Sequence, residues 1–400
     1  MKFVNNFNVI THAYAGAGGK LNVPIKLFLD EVEDGALQQM DHLAQLPFVF
    51  HHVAGMPDMH QGYGMPIGGV MATQGYIVPN AVGVDIGCGM CAMKTNILSS
   101  RMNKKTLKKI MGNVRKMIPV GFKHHEEAQL NMPELPMDQL TIVEKEYNNA
   151  RYQLGTLGGG NHFIEIQKGS DGYIWIMIHS GSRNLGHKVA THYNKVAVEL
   201  NEKWKSNVPK SWQLAFLPFE DGIGQSYFKE MNYCCDFALE NRKLMMSRVV
   251  EAVSKEFKDV FMSDFINIHH NYAAFENHFG KNVLVHRKGA TRAYDGELGI
   301  IPGSQGTASY IVKGKGNPDS FKSCSHGAGR LMSRSKAKEV LDLQDEIKKL
   351  DDQGIVHGIR NVGDLDEASG AYKDIDVVME NQKDLVDIVV ELKPLAVVKG

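Results

Sequence analysis

The chain has 400 residues, 43% hydrophobic and 22% charged, which is enough for a large core in two domains or in one large α/β body. Its 45 basic and 45 acidic residues give zero formal net charge, which argues against a general nucleic-acid binder coated in positive charge. Five cysteines favour free thiols over a disulfide scaffold, and neither a signal peptide in residues 1–16 nor a membrane-spanning run is expected, so a cytoplasmic location is predicted.

Apolar runs and glycine turns alternate over the first hundred residues, beginning with a buried strand predicted at residues 47–53. Spaced apolar residues among lysines then predict an amphipathic helix over residues 107–118, which Pro119 ends. A polar, irregular surface loop is expected over residues 121–137, and a second helix over residues 139–154.

From Gly155 a glycine turn leads into a strand, and the apolar strand after it ends at His179. The patterns over residues 185–204 and 225–257 predict two helices separated by a proline-containing break. We interpret residues 185–257 as a helical insertion within a single catalytic domain that spans residues 1–400.

The last third of the chain begins with a strand over residues 261–268, which ends in His269, His270 and Asn271. Further strands are predicted at residues 282–287, 299–302 and 308–312, followed by a helix from Ser325 to Val340. Residues 281–340 carry 11 Lys and Arg against 4 Asp and Glu, whereas residues 341–400 carry 7 against 14. The neutral total therefore hides a basic segment, which indicates a polyanion partner.

Five potential metal ligands stand in glycine-rich turns or at the ends of predicted strands. Asp85 and Cys88 lie three residues apart in the glycine-rich residues 83–90, where the backbone can bend both side chains onto one centre. His162 follows a glycine run, and His179 and His270 end strands. One thiolate among imidazoles and a carboxylate suits two divalent ions such as manganese, zinc or cobalt. Each histidine alone is more often an ordinary core or surface residue, but all five recur in one context.

The segment S-H-G-A-G-R, residues 325–330, is a second candidate centre. Ser325 is predicted to cap a helix whose free N–H groups would face an anion, with Arg330 and Arg334 on one helix face to clamp a phosphate. His326 stands at the mouth of that site, and imidazole is a competent nucleophile toward phosphorus. An ordinary helix cap with a solvated histidine explains this local sequence equally well.

Two further clusters, residues 287–292 and 302–307, combine cations, hydroxyls and glycines as phosphate cradles do, although neither matches the P-loop pattern. The first is equally consistent with a solvated hairpin, and the second with a tight turn. Cys91 completes a C-x-x-C pair with Cys88, but strand alternation points the two thiols to opposite faces, so we predict that Cys91 is a packing residue.

Ten motifs together make the chain resemble the RtcB family of RNA ligases. In chain order they are M-P-D-M-H-Q-G, G-V-D-I-G-C-G, G-G-G-N-H-F-I-E, H-S-G-S-R, H-H-N-Y-A, R-K-G-A-T, I-P-G-S-Q-G-T-A-S-Y, S-H-G-A-G-R-x-x-S-R, A-Y-K-D-I and the terminal V-K-G. They extend from about residue 56 to residue 400, and several are long and unusual. The resemblance implies an α/β (α+β) fold peculiar to the family, with a central β-rich core and surrounding helices.

The resemblance also implies a GTP- and Mn(II)-dependent ligase that joins RNA with a 3'-phosphate or 2',3'-cyclic phosphate to RNA with a 5'-hydroxyl. Such ends arise in broken RNA and in tRNA splicing. His326 would form a histidine–GMP intermediate, from which GMP passes to the RNA 3'-phosphate before the 5'-hydroxyl displaces it. The two manganese ions, with Cys88 between them, would be held by Asp85, Cys88, His162, His179 and His270.

The residues that match nucleotide-contacting positions of the family are Asn161, Glu165, Asn271, Ser304, Ser309, His326, Gly327, Ala328, Gly329, Tyr372 and Lys399. Glu165 suits the guanine N1–H and N2–H donors, which would favour GTP over ATP. Lys399 would have to fold back into the site, and Arg330 and Arg334 would bind RNA phosphate. Tyr63 stands where many members carry lysine and is assigned no role. The RNA that is joined, any activator protein and the oligomeric state stay open.

Two other interpretations of the same residues stay open. A binuclear metal-dependent phosphodiesterase would use the two ions to activate water and would not need His326 or Lys399. A non-catalytic RNA-binding accessory protein would keep the fold and tolerate the loss of a metal ligand, yet no ligand is missing here.

Overall fold

The computed structural model describes residues 8–10, 20–135 and 140–400. Most of residues 1–16, on which the signal-peptide prediction rests, lie outside the described residues. So do residues 136 and 137 of the predicted loop and residue 139 of the predicted helix. Residues 121–135 of that loop form neither helix nor strand, as predicted.

Strands occur along the whole described part of the chain, from Asn8 to Lys399. In the described residues they are β1 Asn8–Ile10, β2 Ile25–Leu27, β3 Val49–His60, β4 Ile67–Thr73, β5 Tyr76–Ile77, β6 Gly89–Leu98, β7 Phe163–Gly169, β8 Tyr173–Ser180, β9 Leu217–Pro218, β10 Met262–His269, β11 Asn271–His278, β12 Lys281–Lys288, β13 Ala290–Arg292, β14 Leu298–Ile301, β15 Ser309–Gly314, β16 Ser323–Ser325 and β17 Val386–Lys399. The helices are α1 Asp34–Ala44, α2 Lys104–Met117, α3 Thr141–Gln153, α4 Arg183–Lys203, α5 Ile223–Ser254, α6 Arg334–Val340, α7 Leu343–Asp352 and α8 Ile375–Glu380.

Two large sheets organise the molecule. One has the strand order β1-β2-β3-β4-β12-β11, and the other has the order β10-β6-β8-β7-β17-β15-β14. The named strands of these sheets pair antiparallel, except for β2 and β3, which run parallel. Helices cover the sheets, so the predicted α/β (α+β) class with a β-rich core is confirmed.

The C-terminal strand β17 lies inside the second sheet, between β7 and β15. Its register pairs Lys399 with Phe163 and Val397 with Glu165. Alternate residues of β17 are buried on opposite faces of the sheet, with Ala396 in one apolar core and Val397 in another. The chain end is therefore held in a sheet, and Lys399 lies next to the glycine turn that precedes β7.

Helix α5, with 32 residues, packs against β6, β8 and α2 on one side and against α3 and α4 on the other. Its Met245 and Val249 contribute to the core beneath α2, and Tyr227 and Phe237 to the core beneath α4. Both helices predicted in this region are confirmed with boundaries shifted by one to three residues, whereas the assignment of residues 185–257 as an insertion stays a prediction. Cys91 is buried in the core beneath α2, as expected of a packing residue.

The helix predicted from Ser325 to Val340 is wrong in its first half. Ser325 ends β16, where it pairs with Ala290, and the helix begins only at Arg334 after an N-cap at Ser333. The intervening chain turns at Gly329, which has φ +77° and lies so close to Asp58 that a Cβ there would be 2.3 Å from the Asp58 carbonyl oxygen. This close approach to β3 excludes a helix, and Ser325 therefore caps nothing.

The phosphate cradle proposed for residues 287–292 is also wrong, and so is the solvated hairpin. Arg287 is 0% exposed and forms an ion pair with Glu276, whose carboxylate also accepts from His278 at 2.9 Å. Arg287 donates to Glu276 (Nη2 to Oε2, 3.0 Å) and to the Phe321 carbonyl oxygen at 3.0 Å. The guanidinium is thus fully occupied inside the protein.

Lys288 is also internal. Its ammonium donates to the carbonyl oxygens of Tyr63, Met65 and Asn80 at 2.6, 3.0 and 3.2 Å. Burial lowers the pKa of Lys288 to about 7. The lysine ties β12 to the turns around Tyr63 and Asn80, which is a structural role.

We expect Glu276→Ala to lower the free energy of unfolding by about 3–5 kcal/mol, because the Arg287 guanidinium would stay buried without its carboxylate. Chemical denaturation followed by circular dichroism measures the change. Glu297→Ala removes the carboxylate of the more exposed Arg292–Glu297 pair and should cost less than about 1 kcal/mol. Equal losses in the two variants would contradict the prediction.

Candidate active site

The turn at residues 83–90 enters β6 between helix α5 and the corner that joins β10 to β11. Gly87 has φ +71°, and a Cβ at this position would lie 2.9 Å from Cys235 Cα, so glycine is needed for the close packing on α5. The Gly87 N–H donates to the Asn271 carbonyl oxygen, and the Cys88 carbonyl oxygen accepts from the His270 N–H, at 2.8 and 2.9 Å. These bonds hold Cys88 beside His270.

The structure brings the five predicted metal-binding residues into one cluster. Cys88 Sγ lies 3.4 Å from His162 Nε2 and 3.3 Å from His179 Nε2. His179 Nε2 lies 3.3 Å from His270 Nε2, and His162 Nε2 lies 3.1 Å from Asp85 Oδ2. Two three-residue groups with metal-ligand spacing result, Cys88–His179–His270 and Asp85–Cys88–His162, and both contain Cys88.

These distances match those between neighbouring ligand atoms of one metal ion. Ligands about 2.0–2.3 Å from one ion at tetrahedral angles lie about 3.5 Å from each other. Hydrogen bonds fix two of the rings, because His162 Nδ1 donates to the Leu157 carbonyl oxygen and His179 Nδ1 to that of Asn161, at 3.0 and 3.1 Å. Each of these rings then turns an Nε2 lone pair toward the cluster. His162 Nε2 and the Asp85 carboxylate oxygen are then two hydrogen-bond acceptors that face each other. A metal ion bound by both atoms, or a second proton on His162, would remove this unfavourable contact.

The electrostatics of the cluster also fit a metal. Burial lowers the pKa values of His179 and His270 well below the usual range, so both rings are neutral and able to coordinate. Burial alone would raise the pKa of Asp85, but the hydrogen bond and charge of a doubly protonated His162 hold it at about 2, and a bound cation in place of the second proton would act in the same direction. Burial, and then the Asp85 charge, raise the pKa of the Cys88 thiol, which a bound divalent ion would deprotonate. The donor set of neutral imidazoles, one carboxylate and one thiol therefore fits a borderline divalent ion.

A cavity of about 640 Å³ opens beside the cluster, a volume typical of small-molecule sites. Most of the predicted nucleotide-binding and phosphate-binding residues line it, namely Asn161, Glu165, Ser304, His326, Gly327, Ala328, Gly329, Arg330, Arg334, Tyr372 and Lys399. Two predicted residues lie just outside this lining. Asn271 donates to the Asp85 carbonyl oxygen at 3.1 Å, beside the metal-capable cluster. The Ser309 hydroxyl lies behind the cavity wall, where it accepts from the Gly303 N–H and from Gln167 Nε2.

His326 lies between the cluster and the cavity, with its ring 4.6 Å from the His270 ring. Its Nδ1 is 2.6 Å from the carboxylate oxygen Oδ2 of Asp58, which is buried, and its backbone N–H donates to the same oxygen at 3.2 Å. A carboxylate can only accept, so Nδ1 carries the proton and Nε2 keeps its lone pair. The sequence motifs did not lead us to predict a role for Asp58, although it belongs to the M-P-D-M-H-Q-G motif.

Glu367 is the second residue that sequence reasoning missed. Its carboxylate, only 4% exposed, accepts from Arg334 Nε at 2.9 Å and forms an ion pair with Arg330, whose Nη1 lies 3.2 Å away. It also accepts from the Tyr372 hydroxyl, and Lys399 Nζ lies 3.8 Å away. The two arginines do not share a helix face as predicted. They meet instead through this one carboxylate on the cavity wall.

Glu165 is buried in β7 on the cavity wall, where its carboxylate accepts from Gln167 Nε2 at 2.7 Å. Burial raises the pKa of Glu165 to about 7, although the Lys399 charge and the Gln167 hydrogen bond act in the opposite direction. A buried carboxylate with an open face toward a cavity is suited to accept hydrogen bonds from a ligand.

Comparisons with known proteins agree over nearly the whole chain. A family model described as tRNA-splicing ligase RtcB matches residues 39–141 and 134–400. The chain is 39% identical over 406 residues to the RNA-splicing ligase RtcB of Escherichia coli strain K12, and this match covers 95% of the chain and 98% of that protein. It is 33% identical over 464 residues to the tRNA-splicing ligase RtcB of Nanoarchaeum equitans, with 96% of each chain covered. Among the described residues, no helix combines the length and apolar character needed to cross a membrane.

Proposed function

The chain belongs to the RtcB family, and from this premise we propose that it is an RNA ligase that joins 3'-phosphate or 2',3'-cyclic phosphate ends to 5'-hydroxyl ends with GTP. The observation that carries the proposal is the position of His326. A histidine with its Nδ1 proton held by Asp58 lies between a metal-capable cluster and a cavity of nucleotide size. This combination suits nucleophilic attack on a nucleotide phosphate.

In the first step, His326 Nε2 attacks the α-phosphorus of GTP, a P–N bond forms, and pyrophosphate leaves. Asp58 keeps the proton on Nδ1 and stabilises the positive charge that the ring acquires. Two manganese ions, when held by Asp85, Cys88, His162, His179 and His270 with Cys88 shared, would supply positive charge to the phosphates. Lys399, Arg330 and Arg334 line the same cavity around Glu367, and their cationic groups would face the phosphates.

In the second step, an oxygen of the RNA 3'-phosphate attacks the phosphorus of histidine–GMP, the P–N bond breaks, and an RNA-(3')pp(5')G end forms. The 5'-hydroxyl of the second RNA then attacks the 3'-phosphorus and GMP leaves. A cyclic end is first hydrolysed to the 3'-phosphate at the same centre. The splitting of one difficult transfer into separate displacements is what a covalent nucleophile provides.

The test is incubation with α-labelled GTP and Mn(II), followed by denaturation and detection of label on the protein. We expect acid-labile, alkali-stable label, as a phosphoramidate requires, and none with His326→Ala or with γ-labelled GTP. Joining of a 3'-phosphate RNA to a 5'-hydroxyl RNA should fall with the label. Absence of label under every divalent metal tried would reject the ligase. RNA phosphodiester hydrolysis that survives His326→Ala would then favour the phosphodiesterase.

Glu165→Gln is expected to reduce guanylylation at subsaturating GTP by about 10- to 100-fold. The variant places an N–H donor opposite the guanine N1–H and loses a charged hydrogen bond worth about 1.5–3 kcal/mol. Labelling from GTP and from ATP in parallel measures the effect. The preference for GTP should fall, whereas a variant that loses labelling from both nucleotides equally would contradict guanine recognition by Glu165.

The raised pKa of Glu165 predicts that the rate of guanylylation depends on pH. The pKa of Glu165 is raised to about 7, so the carboxylate gains a proton and loses its charge as the pH falls through 7. Guanylylation by the wild type at subsaturating GTP should therefore weaken below about pH 7. Glu165→Gln has no titrating carboxyl at this position, and the ratio of wild-type to variant rates should fall toward acid pH. A ratio that is constant from pH 6 to pH 8 would contradict the assignment.

A further inference from the structure

Helix α2 presents a uniformly positive face to solvent. All six of its basic residues are exposed, and the helix contains no acidic residue. They are Lys104, Lys105, Lys108, Lys109, Arg115 and Lys116. The opposite face, with Leu107, Ile110, Met111 and Val114, is buried against α5 and the second sheet. Packing accounts for the apolar positions and leaves the basic ones unexplained.

The placement of these lysines is unfavourable for the helix itself. Lys104 and Lys105 are the first two residues of α2, where the helix dipole is positive and acidic side chains are stabilising. Lys104, Lys105, Lys108 and Lys109 together line one shallow groove. Only Lys109 has an ion-pair partner among the described residues, Glu256 at 3.2 Å. A bound anion would offset the mutual repulsion of the others.

The basic residues extend over nearly the whole length of α2, from its first residue to its last but one. The basic positions from Lys104 to Lys116 extend over about 18 Å along the helix, a length over which an RNA strand presents several phosphates.

The C-terminal end of α2 leads directly to the candidate active site. The Pro119 carbonyl oxygen accepts from the Leu157 N–H at 3.0 Å, and the Gly121 N–H donates to the Gly158 carbonyl oxygen at 2.8 Å. The glycine turn that begins there carries His162 and lies against the Arg334 guanidinium at Gly160. The helix therefore runs outward from the rim of the site.

This surface differs from the basic segment predicted over residues 281–340. In that segment Arg287 and Lys288 are buried, and Arg292 forms an ion pair with Glu297. Part of the positive charge of residues 281–340 is therefore buried or neutralised by ion pairs. The charge of α2 lies entirely on the surface.

We propose that the exposed face of α2 binds the phosphate backbone of the RNA substrate beyond the ends that are joined. The proposal rests on the proposed function, since it names where the same substrate is held. Helix α2 offers lysine ammonium groups on flexible stems and contains no aromatic residue, so its face recognises backbone charge and no particular sequence.

The test compares Lys104→Gln/Lys105→Gln/Lys108→Gln with a matched variant, Lys195→Gln/Lys203→Gln/Lys205→Gln, which removes three exposed lysines at and just after the C-terminal half of α4. Binding of a long-stemmed RNA hairpin is measured by fluorescence anisotropy without GTP over a range of salt concentrations. The α2 variant should bind about tenfold more weakly near 0.1 M salt, and its slope of log Kd against log salt should be shallower by about two to three. The α4 variant should match the wild type.

Two further measurements keep the result interpretable. Labelling by α-labelled GTP and joining of short oligonucleotides should be unchanged in the α2 variant, because these reactions do not reach the helix. Thermal stability should be unchanged or higher, since cations leave the positive end of a helix dipole. Wild-type hairpin affinity in the α2 variant, or an equal loss in the α4 variant, would overturn the proposal. Because the binding assay needs no catalysis, failure of the ligase proposal would be recognised separately, by the absence of label in the wild type.

Discussion

Cys88→Ala is expected to abolish guanylylation and RNA joining together. Cys88 Sγ belongs to both groups of potential metal ligands, so its loss leaves Asp85 and His162 on one side and His179 and His270 on the other, without a shared ligand. Two donors do not hold a catalytic ion. We therefore expect residual labelling below about one thousandth of the wild type, which corresponds to about 4 kcal/mol.

Metal content after dialysis against Mn(II), measured by mass spectrometry, should fall together with the labelling. Cys91→Ala is the matched control, because this thiol is equally buried but packs beneath α2, away from the cluster. It should retain metal and labelling. Normal guanylylation in Cys88→Ala would disprove the shared-ligand role. A loss of metal in Cys91→Ala as well would indicate a general packing defect.

Asp58→Asn should slow guanylylation by about 10²- to 10⁴-fold while the fold is kept. The asparagine can present an N–H donor to His326 Nδ1, which favours the tautomer with the proton on Nε2 and removes the nucleophilic lone pair. Loss of the carboxylate also removes the charge that stabilises the ring as it becomes cationic. Single-turnover labelling with α-labelled GTP measures the rate.

The matched measurement for Asp58→Asn is the joining of RNA that already carries a (3')pp(5')G end. This reaction bypasses the attack by His326, so the variant should perform it within about tenfold of the wild type. A similar loss in both reactions would mean that Asp58 acts on the whole site. A normal labelling rate would mean that Asp58 does not set the state of His326.

The sequence alone identified the five potential metal ligands that the structure gathers at the site, although not Asp58 or Glu367. Asp85, Cys88, His162, His179 and His270 were each recognised by a short local context, a glycine turn or a strand end. Local context survives folding, since a glycine that permits positive φ and a strand that ends at a histidine are determined by near neighbours. Helices α2, α3, α4 and α5 were predicted for the same reason, because helical periodicity repeats within a few residues.

Contacts between residues that are far apart in the sequence determine the features that local sequence patterns did not predict. Residues 325–333 read as the start of a helix, but their approach to Asp58 and the pairing of Ser325 with Ala290 override local propensity. The local pattern at Arg287 and Lys288 fits a phosphate cradle or a solvated hairpin, but Glu276 and three backbone carbonyl oxygens bind these side chains inside the protein.

The residues 83–90 show both contributions. Their composition alone determined a sharp turn that presents a carboxylate and a thiol. Only the tertiary structure decided that His162, His179 and His270 reach Cys88 within 4.8 Å, and that Asp58 orients His326 from a position 268 residues earlier in the chain. The physical reason is that hydrogen bonds and coordination act over a few ångströms in space, whatever the separation along the chain.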